Sequence, residues 1–141
     1  MAADNRSLWI ARVCIGAVLL ANVQCAVVFW WSPQIYAPTF ELAGVSGEAA
    51  VRGIGVLFLM WNVPYVIALW HPRRHRVSLW EAVAMQTIGV AGETFIALTL
   101  PPGYVTLRAS LTRFILFDGS GLAALLLAAW LSRPRARQFS G

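Results

Sequence analysis

Apolar residues gather into four long runs, about 8–31, 49–70, 77–100 and 107–131, separated by short polar joints. Each run meets the roughly 20 residues a helix needs to cross a bilayer. A span must satisfy its own backbone hydrogen bonds in lipid, so the pattern predicts an all-α fold, a four-helix transmembrane bundle. The joints leave no segment long enough for a separate soluble domain. One integral membrane domain over residues 1–141 is therefore expected.

A soluble bundle would show polar faces at helical period, whereas most of these runs are apolar all round. Composition agrees: 59% of residues are hydrophobic, 12% are charged, and the mean hydropathy is +0.66. The first run resembles a secretory signal only superficially, because it is too long and no small-x-small cleavage site ends it. It is expected to stay in the mature protein. Val23-Gln24-Cys25 has the outline of a lipoprotein signal, but Gln24 stands where a small residue is required.

The basic residues are all arginine and divide unevenly across the joints. Arg6, Arg12, Arg73, Arg74, Arg76, Arg133, Arg135 and Arg137 fall on one side; Arg52, Arg108 and Arg113 fall on the other, with Glu41 and Glu48. The positive-inside rule then places both termini in the cytoplasm, the parity an even number of spans requires. Trp9, Trp70, Trp80 and Trp130 mark the inner boundary, and Trp30, Trp31, Tyr36 and Tyr104 the outer one, leaving Trp61 near mid-membrane.

The cluster from His71 to Arg76 reads as a topology anchor touching anionic lipid headgroups, and a nucleic-acid partner is not expected. The Arg133-Pro-Arg-Ala-Arg137 tail reads the same way. No metal site is expected: Pro72 interrupts the His71 and His75 pair, and no cysteine completes it. Cys14 and Cys25 share a helix face but stand about 16 Å apart along the axis, too far to bond.

The informative residues are the polar groups inside the spans, where an ionised side chain costs a few kcal/mol unless paired or hydrated. Gln86, Gly89 and Glu93 form one stripe on the third span, and Arg113 on the fourth matches Glu93 in depth. A direct Glu93–Arg113 pair is expected. Asp118 lies about 140° around the helix from Arg113, so Arg52 and Asn62 on the second span are its expected partners. Asn22 and Cys25 occupy adjacent turns of one face of the first span. The glycines at positions 53, 55, 89, 92, 119 and 121 permit close helix approach.

Three readings of this cluster stand open. In the first, Arg52, Glu93, Arg113 and Asp118, within a polar cluster that also holds Asn22, Asn62 and Gln86, form an ion-pair network that fixes helix register. Alternatively they floor a pocket, opening to the outer leaflet, for a quinone, isoprenoid or other lipid with a polar head. Its enzymatic version uses Glu93 and Asp118 as proton donor and acceptor. The third reading is a proton-coupled transporter, for which so short a chain would have to dimerise. Nucleotide loops, Ser/His/Asp sets, Cys-x-x-Cys pairs and haem-ligating histidine pairs within spans are lacking, so no catalytic residues are assigned. The long joint 32–48 holds Pro33, Pro38 and Gly44 as breakers and Ile35, Tyr36, Phe40 and Leu42 as apolar groups able to cap the bundle.

Trp31-Ser-Pro33, Arg52-Gly-Ile-Gly55 and the Arg113 to Asp118-Gly119 segment give the chain a layout that resembles the DoxX-like superfamily of small four-helix bacterial membrane proteins. That resemblance spans most of the chain and rests on short motifs. It implies a quinone-linked role as a subunit of a membrane complex, without catalytic residues carried over by position. The resulting expectation is a multi-pass protein of a prokaryotic cytoplasmic membrane, an accessory or ligand-binding subunit. Membrane lipids, other subunits of a complex or a second copy are its expected partners. A quinone or lipid is the expected ligand, and a lipid- or quinone-directed enzyme is the alternative.

Overall fold

The computed structural model describes residues 2–133, with side chains from residue 5 onward. Arg135 and Arg137 lie outside the described residues. Among those described, every regular element is helical: α1 (Ala2–Trp31), α2 (Pro33–Tyr36), a 3-10 turn (Ala37–Phe40), α3 (Gly44–Trp61), α4 (Val63–Trp70), α5 (Arg76–Thr99) and α6 (Val105–Leu131). Four helical stretches are long and apolar enough to cross a membrane: Asn5–Trp31, Gly44–Trp70, Arg76–Thr99 and Val105–Leu131. Such a set is the makeup of a multi-pass membrane protein.

The expected boundaries hold except in the second span. It begins at Gly44, earlier than the apolar run suggests, and it is interrupted at Asn62, where α3 gives way to α4. Pro64 explains the break, because it has no N–H to offer the carbonyl one turn back and its ring crowds that turn. The Asn62 side chain adds to the end of α3, its Nδ2 donating at 2.6 Å to the Phe58 carbonyl, which also accepts the Asn62 N–H. Asn62 thus serves its own helix and does not reach Asp118.

The spans pack as a ring in which α1 touches α3 and α6, and α5 touches α6. The broken span closes the ring unevenly: α4 packs on both α1 and α5, whereas α3 packs on α1 and diverges from α5. Gly55 sets the α1–α3 approach, since a Cβ there would stand 2.9 Å from the Ala26 carbonyl oxygen and 3.1 Å from Phe29 Cβ. Helix backbones meet this closely only where a side chain is missing.

Two apolar cores result. One, toward the 71–75 hairpin, is built on Ile15, Tyr65, Leu79 and Leu125 with the alanines between them. The other is built on Phe29, Ala37 and Val51. Phe29 meets Tyr36, Phe40, Phe58 and Phe114 edge-on, with ring centroids 4.6 to 6.0 Å apart. The 32–48 joint does cap the bundle, through Tyr36, Ala37 and Phe40.

Several charges counted for topology finish helix ends. Arg12 Nη2 donates to the Trp70 carbonyl at 2.6 Å, closing α4. Arg108 donates to the carbonyls of Ala97 and Leu100 at 2.7 and 2.8 Å, closing α5. Glu41 accepts the Leu107 N–H at 3.1 Å, at the start of α6. Each meets an end group that has no partner within its helix, with the charge sign the helix dipole favours.

Candidate functional site

Between the two apolar cores lies a polar layer. Asn22, Gln86 and Asp118 are all buried there, on α1, α5 and α6, and Tyr65 reaches the same level from α4. The Tyr65 hydroxyl donates to Gln86 Oε1 at 2.5 Å, with the Ala82 carbonyl as a second acceptor at 3.2 Å. Gln86 Nε2 in turn donates to Asp118 Oδ1 at 2.9 Å and to the Asp118 carbonyl at 3.3 Å. An amide is suited to this position because it accepts at one end and donates at the other, so it links a hydroxyl to a carboxylate in one orientation.

Glycine makes the layer possible. A Cβ at Gly89 would lie 2.8 Å from Asp118 Oδ2, and one at Gly121 would lie 2.9 Å from Gln86 Nε2. The polar side chains occupy the volume those residues leave free. Gln86, Gly89 and Glu93 do share one face of α5, as the helical spacing requires.

Where α3 diverges from α5, this layer opens into a cavity of about 290 Å³. Its polar wall is Asn22, Tyr65, Gln86, Glu93 and Asp118; its apolar wall includes Phe58, Trp61, Ile88 and Ile96. The volume sits at the lower end of small-molecule sites, and the mixture of mostly apolar lining with a few convergent polar groups is typical of them. Two buried acceptors on lining residues, Asn22 Oδ1 and Glu93 Oε2, have no hydrogen-bond partner. Leaving such atoms unmatched costs free energy, so they mark where a bound molecule has most to offer.

The ion pairs expected from depth are not formed. Arg52 is exposed on α3 and faces Glu48 one turn away at 3.9 Å. Arg113 donates to Ser110 Oγ at 3.2 Å and lines a separate cavity of about 300 Å³ against α1, with Gln24, Cys25 and Tyr36. The reason is azimuth: Asp118 is about 140° around α6 from Arg113, so turning Asp118 into the bundle turns Arg113 away. Depth alone does not bring Arg113 and Glu93 together, and the cavity holding both carboxyl groups has no basic side chain on its wall.

Among the seven residues singled out from sequence, Asn22, Gln86, Glu93 and Asp118 share this cavity, while Arg52, Asn62 and Arg113 stand outside its lining. Tyr65 is the member the sequence reading missed. The signal was present, because a tyrosine well inside a span, away from the interfacial belts, needs a buried partner for its hydroxyl. Among the described residues no group of three or more His, Cys, Asp and Glu side chains is gathered to hold a metal.

No family model, curated protein or solved structure matches the chain.

Proposed function

We propose that this chain is a ligand-binding subunit of a membrane, admitting a small membrane-dissolved amphipathic molecule between α3 and α5. Its polar end is held at Asn22, Gln86, Glu93 and Asp118, and its apolar body against Phe58, Trp61, Ile88 and Ile96. The observation that carries this reading is the pair of unpartnered buried acceptors, Asn22 Oδ1 and Glu93 Oε2, on residues lining the cavity. An ion-pair network has less support, since neither expected pair is formed and Arg113 lines a different cavity.

Orientation belongs to the same proposal. With eight of the arginines on the hairpin side, both termini lie in the cytoplasm of a prokaryotic cell and the cavity lies in the outer half of the inner membrane. A periplasm-dependent reporter fused after Gly141 is expected to stay silent. Activity from that fusion would invert the orientation.

Retention after gentle purification tests the binding reading. Mass spectrometry of the intact protein in mild detergent is expected to show one small molecule per chain. Bulk phospholipid alone, in varying amounts, would overturn it.

A further inference from the structure

The geometry points to a lipophilic amine, carried as its ammonium cation, as the molecule this cavity takes. The inference rests on the binding reading above and adds the chemical class. Its basis is the lopsided inventory of the wall.

Glu93 and Asp118 bring two carboxyl groups to one cavity, and the lining contains no arginine or histidine. Asp118 Oδ1 accepts from Gln86, whereas its other oxygen, Oδ2, lies over Gly89. Asn22 is 5% exposed, and its Oδ1 has no partner; Glu93 Oε2 has none either. Both of these unpartnered atoms on the wall are acceptors. A ligand that completes them must bring hydrogen-bond donors, and one that also balances the carboxyl charge in an apolar setting must bring positive charge.

An ammonium group meets both demands with its N–H donors and unit charge. A quinone carbonyl meets neither, because it is an acceptor. Phe58 and Trp61 stand on the α3 wall with ring centroids 6.3 Å apart, and aromatic faces add further attraction for a cation. Apart from Tyr65, the remaining wall is apolar, with Ile54, Met85, Ile88 and Ile96, so the body of the molecule must be apolar. An aminophospholipid headgroup supplies the same ammonium, but its phosphate would enter a cavity with two carboxyl groups and no basic side chain. The phosphate-free amine is therefore the better match.

The test uses the full chain in lipid nanodiscs and three probes of similar shape: 2-phenylethylamine, 2-phenylethanol and 3-phenylpropionate. Binding is read by calorimetry, with lysophosphatidylethanolamine as competitor. The amine is expected to bind at least tenfold tighter than the alcohol, the carboxylate is expected not to bind, and the lysolipid is expected not to compete. Glu93→Gln should erase the preference for the amine, and Glu93→Asp should keep most of it. Should Glu93→Gln fail to fold, the probe series on the wild-type chain decides alone.

Equal or tighter binding of the alcohol would overturn the amine while leaving a ligand cavity in place. Competition by the lysolipid would overturn the restriction to phosphate-free amines. If no probe binds, the amine proposal falls, and retention of a different molecule by the purified chain then shows whether the binding reading survives. A probe that binds as well when Gly92→Phe fills the cavity would overturn both.

Discussion

Gln86→Leu is expected to cost about 3 kcal/mol or more of stability, the largest single loss in the bundle. Gln86 joins Tyr65 to Asp118, donating to the carboxylate at 2.9 Å and accepting from the hydroxyl at 2.5 Å. Removing the amide leaves Tyr65 its weaker acceptor, the Ala82 carbonyl at 3.2 Å. Asp118 fares worse, because its Oδ1 loses that donor while remaining buried. Gln24→Leu, an exposed glutamine on α1, should change little and serves as the control. Unfolding in mixed detergent micelles measures both. If the two variants differ by less than about 1 kcal/mol, the network does not hold the layer together.

Gly55→Leu should follow closely, at about 3 kcal/mol, and for a different reason. The obstacle at Gly55 is the Ala26 carbonyl and the Trp30 backbone nitrogen, 2.9 and 3.2 Å from where a Cβ would stand. Backbone cannot rotate aside as a side chain can, so α1 and α3 must separate. Gly53 lies two residues earlier on the same helix, with nothing within 4 Å of its Cβ position. Gly53→Leu should be close to neutral or slightly stabilising, because replacing glycine also favours the helix. Similar losses at both positions would mean that α3 does not approach α1 as described.

The long elements were easy to read because lipid imposes a simple rule: a run of apolar residues of sufficient length is a helix. That rule recovers all four spans to within a few residues at most ends. It says nothing about a break inside a run, and the one at Asn62 was missed although Pro64 stands in the sequence as its cause. The break matters more than its size suggests, since the cavity lies beside it, lined by Phe58 and Trp61 before it and by Tyr65 after it.

The polar residues were legible as a set and illegible as pairs. Counting turns from a span's end gives depth alone, and on that count Glu93 stands level with Arg113. Pairing also requires each helix's rotation, and rotation depends on the neighbours it packs against. Thus Gln86 and Glu93 share a face as their stripe suggested, while Asp118 meets them in place of Arg52 and Asn62, and Arg113 turns toward Gln24 and Cys25. Arg108, Arg12 and Glu41 were read as topology markers because a linear count gives no sign of which carbonyl or N–H a long side chain reaches. Their hydrogen bonds to helix ends use the same charges locally.

Filling the cavity from within tests the central claim most directly. Gly92 lines it and has nothing within 4 Å of its Cβ position, so Gly92→Phe has open space at the cavity wall for its ring. Intact-mass spectrometry of this variant, purified beside the wild type, is expected to show a folded chain of equal stability that has lost the co-purifying small molecule. Retention of the same molecule at the wild-type ratio would contradict the account, because the space between α3 and α5 would then not be where it binds.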